Sequence, residues 1–261
     1  MTLTGRNITV RSAAVACFLF AVLVVFLFVR FMSGESDGGS FDMGYGRFFA
    51  IAGASITVLL GFLLALLYMR LFRRSPSIPV FFMSLFFLSM TLDVSKLGQV
   101  FVHFGPWPQL SSAIARVSLF GHITGALSLF AAGLYAGGIR MQRHGTVIFV
   151  GVMIAFSLSW LIPVDTSYLP DHLVYSAGLR ASFGVALGVI IVLGIINFLQ
   201  AAIAGRNPRL VFTAFAAAAI AAGREMLFYY VDPFRIIVGV GLVIIGATVF
   251  TAQHYRDYLV S

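Results

Sequence analysis

Between Arg47 and Arg70 the chain reads FFAIAGASITVLLGFLLALLYM, residues 48–69, with no charged side chain. As an α-helix this stretch is about 33 Å long at 1.5 Å per residue, matching the roughly 30 Å hydrocarbon thickness of a bilayer. It has no polar stripe to turn toward water, as a helix on a soluble core would. In lipid, a helix satisfies its own backbone and needs no such stripe. The stretch therefore reads as a membrane-spanning helix.

Four more uncharged runs lie at Ser12 to Val29, Thr146 to Val164, Ala181 to Gly205 and Ile236 to Gln253. Three others are long enough but carry charge: Ile78 to Phe104, Leu110 to Ile139 and Leu210 to Val231. The sequence thus predicts an all-α membrane protein with eight transmembrane helices in one bundle, at 12–29, 48–69, 78–104, 110–139, 146–164, 181–205, 210–231 and 236–253. Composition agrees: 60% of residues are hydrophobic and 10% charged, against about 25% charged in soluble domains. The linkers are short, so residues 1–261 are expected to form one polytopic domain with no soluble domain.

The net charge of +8 would suggest nucleic acid in a soluble chain. Here its placement carries the information. Alternate loops hold Arg6, Arg11, Arg70, Arg73, Arg74, Arg140, Arg143, Arg206, Arg209 and Arg256 with a single acid, Asp257. The other loops hold Arg30, Arg47, Arg180 and Arg235 beside Glu35, Asp37, Asp42, Asp165, Asp171 and Asp232. The positive-inside rule then puts both termini in the cytoplasm, with Trp107 and Trp160 at the outer interface. The expected location is a cell membrane, a bacterial inner membrane, with the lipid bilayer as partner and no nucleic acid.

A faint echo links Leu60-Gly61, Arg73-Arg74-Ser75-Pro76 and Lys96 to Leu193-Gly194, Arg206-Asn207-Pro208 and Arg224. It suggests a 4+4 parallel repeat of the kind transporter folds contain, although Gly, Arg and Pro are common in such loops. Cys17 is the only cysteine, which excludes an internal disulfide and a cysteine metal site. A lipoprotein reading around Cys17 fails because the hydrophobic run follows the cysteine, where a signal sequence would precede it.

The chemistry gathers in the three charged segments. In the third, Asp93, Lys96, Gln99 and His103 fall within an arc of about 120° at helical spacing, and an Asp93–Lys96 pair is geometrically easy. The fourth adds Arg116 and His122, the seventh Arg224 and Glu225. Counted at 1.5 Å per residue, these groups lie in the outer half of the bilayer. The inner half offers only hydroxyls and amides, such as Ser84, Ser128, Thr213, Asn197 and Gln200. Charge at bilayer depth costs several kcal/mol, so the sequence predicts mutual pairing and a polar cavity open to the outside. Lys96, Arg116 and Arg224 outnumber Asp93 and Glu225, so the cavity should be net positive and favour a small anionic ligand or a lipid headgroup. The competing reading is structural: ion pairs that set helix register, with Arg116 snorkelling outward.

Sharper chemistries fit poorly. Lys96 is in the third helix, where a retinal Schiff base would sit in the last of seven, and His103 and His122 differ in depth too much for a shared haem. No G-x-S-x-G elbow is present, and His172 beside Asp171 is a weak metal signal. No catalytic residue and no metal ligand is assigned, and the cofactor is left open. The functional expectation is a sensory or accessory binding module acting with a separate cytoplasmic or membrane protein partner. The alternatives are a proton-coupled secondary transporter using Asp93, Glu225 or His122, and a membrane-embedded enzyme.

Overall fold

The computed structural model describes residues 3–33, 44–74, 77–104, 107–138, 144–178, 180–205, 209–229 and 232–260. The acidic loop with Glu35, Asp37 and Asp42, and the loop residues Ser75, Pro76, Arg140, Arg143, Arg206, Asn207 and Pro208, lie outside them. Among the described residues nine α-helices follow in order: α1 (Leu3–Met32), α2 (Tyr45–Arg74), α3 (Ile78–Met90), α4 (Ser95–Phe104), α5 (Ser111–Ala136), α6 (His144–Leu161), α7 (Arg180–Ala204), α8 (Arg209–Tyr229) and α9 (Pro233–Val260). Between α6 and α7 two short strands, β1 (Val164–Asp165) and β2 (Ser176–Ala177), pair antiparallel.

Among the described residues seven helical spans are long and apolar enough to cross a membrane, and the shorter apolar helix at Gly145–Leu161 is the eighth segment. Two expectations change. The fifth segment stops at Leu161, and Val164 turns into the hairpin because Pro163 cannot continue the helix. The third segment runs from Ile78 to Phe104 as one span, but within it α3 and α4 are joined by a 3-10 turn at Thr91–Val94. The sequence supplies the cause. Ser84, Ser89 and Thr91 donate their hydroxyls to the carbonyls of Phe81, Phe86 and Leu88, each three residues back, and such back-bonding bends helices.

Prolines and glycines punctuate the rest. Pro79 lies in the first turn of α3 and Pro233 opens α9, where a missing N–H costs nothing. Gly138, at φ +85°, follows the end of α5.

Neighbouring spans pack α2 on α3, α3 on α5, α5 on α7, α7 on α8 and α8 on α9, and both α8 and α9 return to α2. The result is a ring of six spans, with α1 laid along the third span and α6 along α5. Of the apolar window of the third span 78% is buried, against 11% for α1; the third span is therefore central and α1 peripheral. Tyr68, Met83, Phe86, Phe87, Phe198, Ile220 and Phe250 fill the ring, and the Tyr68 hydroxyl donates to Ala247 O at 3.1 Å. Gly223 and Gly239 let α8 and α9 meet backbone to backbone: a Cβ on Gly223 would lie 2.6 Å from Gly239 O. Close approach through small residues is how helices associate where lipid removes the hydrophobic drive. The two echoed glycines make different contacts, Gly61 against Phe87 and Met90 of α3 and Gly194 against Phe130 of α5.

One end of the ring is capped by residues 162–178. Leu169, Leu173 and Tyr175 pack on Val100, Phe101 and Ala115. The Tyr175 hydroxyl meets His103 Nδ1 at 2.8 Å, and Arg47 pairs with Asp171 at 3.5 Å. Burial pushes the Tyr175 hydroxyl above its ordinary pKa. The Ser167 hydroxyl and N–H both donate to Asp165, which holds that carboxyl below the usual range.

Candidate functional site

The break in the third span decides where its polar residues go. Asp93 sits inside the 3-10 turn, and Asp93, Lys96 and Gln99 are 0%, 2% and 0% exposed. Lys96 reaches across to α8, donating from Nζ to Phe228 O at 2.6 Å, with its ammonium 4.1 Å from the centre of the Phe228 ring. The direct Asp93–Lys96 hydrogen bond that their spacing suggested is not made. Neither oxygen of Asp93, nor either amide atom of Gln99, has a hydrogen-bond partner among the described residues. Asp93 still lies in the fields of Lys96, Arg224, His122 and Glu225.

Arg224 is buried between α8 and α5. Its Nη2 donates to Gly121 O at 3.0 Å, and its guanidinium lies 5.0 Å from the centre of the Phe86 ring. Gly125 makes this possible, since a Cβ there would fall on the Arg224 guanidinium and 2.6 Å from Ser89 Oγ. Beside it His122 Nε2 meets Glu225 Oε1 at 3.1 Å. A carboxylate can only accept, so Nε2 carries the hydrogen of this contact. The His122 ring is 4.1 Å from that of Phe228, so Phe228 touches both the imidazole and the Lys96 ammonium.

The two partners differ in access: the His122 side chain is 1% exposed and that of Glu225 34%. Glu225 opens onto a groove of about 1010 Å³ between α7 and α8, with His122 of α5 at its floor and Tyr229 at one end. Its walls are apolar, among them Leu187, Ile191, Val192 and Ala221. At Gly184 and Gly188 a Cβ would meet nothing within 4 Å, so these glycines widen the groove. Val185 and Val192 turn outward, 66% and 52% exposed. The groove thus opens on the flank of the bundle, where lipid lies.

Two expectations are corrected. Asp93, Lys96 and Gln99 of the third span do not line an open cavity, because they are sealed in packing and Leu169 and Leu173 cap the end of the bundle next to Val100 and Phe101. Arg116 does not join the cluster. Its guanidinium lies 4.4 Å from the centre of the exposed Trp160 ring on α6. Without it, Lys96 and Arg224 stand with Asp93 and Glu225, and His122 lies beside Glu225. The groove itself went unread in the sequence. Its one local signal is the Gly184–Gly188 spacing, which places both glycines on one face of α7.

No family model, curated protein or solved structure matches the chain. Fold and site together define a multi-pass helical membrane protein.

Proposed function

We propose that this protein is a binding module of the sensory or accessory kind, one polytopic unit in a bacterial inner membrane with both termini in the cytoplasm. It takes the polar head of a membrane amphiphile sideways from the bilayer into the groove between α7 and α8. The observation that carries this reading is the His122–Glu225 pair at the floor of a lipid-facing apolar groove. Through Phe228 the pair adjoins Lys96, two residues past the 3-10 turn. An occupied groove can therefore bias a break in the central span, and a separate protein partner reads the change.

Orientation is tested by cysteine labelling in a Cys17→Ala background with a membrane-impermeant maleimide. Cysteines at Asp37 and Tyr168 should label from outside intact cells, and those at Ser75 and Gln142 should stay protected; outside labelling at Ser75 would reverse the topology.

Binding is tested by photolabelling the purified protein with a diazirine-bearing diacylglycerol. Adducts should map to α7 and α8, and Gly188→Leu should reduce them roughly tenfold, the loss expected from about 1.4 kcal/mol of binding. Leucine at this position enters open space and is a better helix former than glycine, so folding should persist. Labelling spread over all lipid-facing helices would discard the groove.

The transporter reading has one observation of its own. Asp93 is a fully buried carboxyl group in the 3-10 turn of the central span, and acidic residues inside the membrane are used as proton relays in transporters. Sealed proteoliposomes with an imposed pH gradient distinguish the two: amphiphile-dependent proton flux that disappears in Asp93→Asn favours transport.

A further inference from the structure

Resting on that lateral-binding reading, we propose that the head selected by the groove is an uncharged hydroxyl carried on a long apolar tail. The argument is electrostatic. Two cationic side chains, Lys96 and Arg224, stand with two acidic ones, Asp93 and Glu225, in this cluster. Both cations are turned inward: Lys96 donates to Phe228 O and Arg224 to Gly121 O. Asp93 is fully buried. Of these four groups, only Glu225 is presented to the groove.

Each charged head then meets an obstacle. A phosphate or carboxylate would approach a carboxylate with both cations of the cluster buried behind it. An ammonium would pair with Glu225 but bring a further cation close to Lys96 and Arg224, in a medium where added charge is expensive. A hydroxyl donates a charge-assisted hydrogen bond to Glu225 and adds no charge. The groove also extends past any such head. From Gly184 to Ile195 along α7 it runs about 16 Å at 1.5 Å per residue, between walls that are apolar apart from its floor and the Tyr229 end. A hydrocarbon tail fits that length.

The hydroxyl has two sources of the same chemistry, the free hydroxyl of a diacylglycerol and the phenolic hydroxyl of an alkyl hydroquinone. The test is competition against the diazirine diacylglycerol on the wild-type protein, so it needs no variant to fold. Octadecanol, octadecylamine and stearate share one tail and differ in the head. Octadecanol should compete at a concentration roughly tenfold lower than either charged analogue, a tenfold ratio corresponding to about 1.4 kcal/mol. Dioleoylglycerol and dodecyl hydroquinone, the latter kept reduced under argon, then identify the source, and competition by either supports the hydroxyl class. Glu225→Gln removes the acidic group presented to the groove, so the preference should shift from octadecanol toward stearate. Equal competition by all three heads, or a preference for the amine, overturns the inference while leaving groove binding intact. Absence of any groove labelling fails the lateral-binding reading itself.

Discussion

Gly125→Leu is expected to lower the stability of the purified protein by about 3–5 kcal/mol, the range found when a buried charge loses its partners. A side chain at residue 125 would occupy the place of the Arg224 guanidinium. Arg224 is buried against Phe86, Ser89 and Gly121. Its displacement costs the hydrogen bond to Gly121 O and the contact with Phe86, and it removes a nearby cation from Asp93. Intrinsic helix propensity acts the other way, since Gly→Leu in a helix interior gains a little under about 1 kcal/mol, so a loss would be tertiary in origin. The measurement is the fraction surviving size exclusion after heating in detergent. Gly184→Leu is the control, because a Cβ there meets nothing within 4 Å. Removing the guanidinium should make the leucine tolerable, so the double variant Gly125→Leu with Arg224→Ala should lose much less than the sum of the singles. Additive losses, or a Gly125→Leu protein as stable as wild type, would mean that the arginine does not occupy this slot.

How much of this was legible in the sequence depends on the kind of information each feature needs. The spans were readable because a bilayer imposes length and apolarity on each helix separately, as 48–69 shows. The break at Thr91–Val94 was hidden because hydropathy treats Ser89 and Thr91 as mild interruptions, whereas their effect comes from hydroxyls bonding back to Phe86 and Leu88. Arg116 was grouped with His122 by depth alone. The two are six residues apart, about 240° around a helix at 100° per residue, and that arithmetic already turned Arg116 toward another neighbour. The groove had no comparable signal, since it depends on the spacing between α7 and α8 and not on either helix alone. The same holds for the capping loop, whose Leu169 and Leu173 are unremarkable until they lie on Val100 and Phe101.

Lys96→Met should destabilise the protein by about 3 kcal/mol, at the lower end of the cost of breaking a buried charged arrangement. Two groups are left behind. Phe228 O loses the 2.6 Å hydrogen bond that Lys96 supplies, and an unsatisfied buried acceptor costs about 1–3 kcal/mol. Asp93, already without a hydrogen bond among the described residues, loses Lys96 from its surroundings, where Arg224 and His122 remain. Adding Asp93→Asn removes the stranded charge and should recover part of the loss, with a coupling of about 0.5–3 kcal/mol. The recovery should be incomplete, because asparagine cannot replace the donor at Phe228 O. This asymmetry distinguishes the observed arrangement from a simple Asp93–Lys96 pair, where neutralising both partners could restore nearly everything. A double variant as stable as wild type would therefore point to direct pairing, and strictly additive losses would show that the two charges do not sense each other. Partial recovery would place Lys96 between two demands, the carbonyl of Phe228 beside the groove and the carboxylate in the helix break, which is the position a residue must hold to pass a change at one to the other.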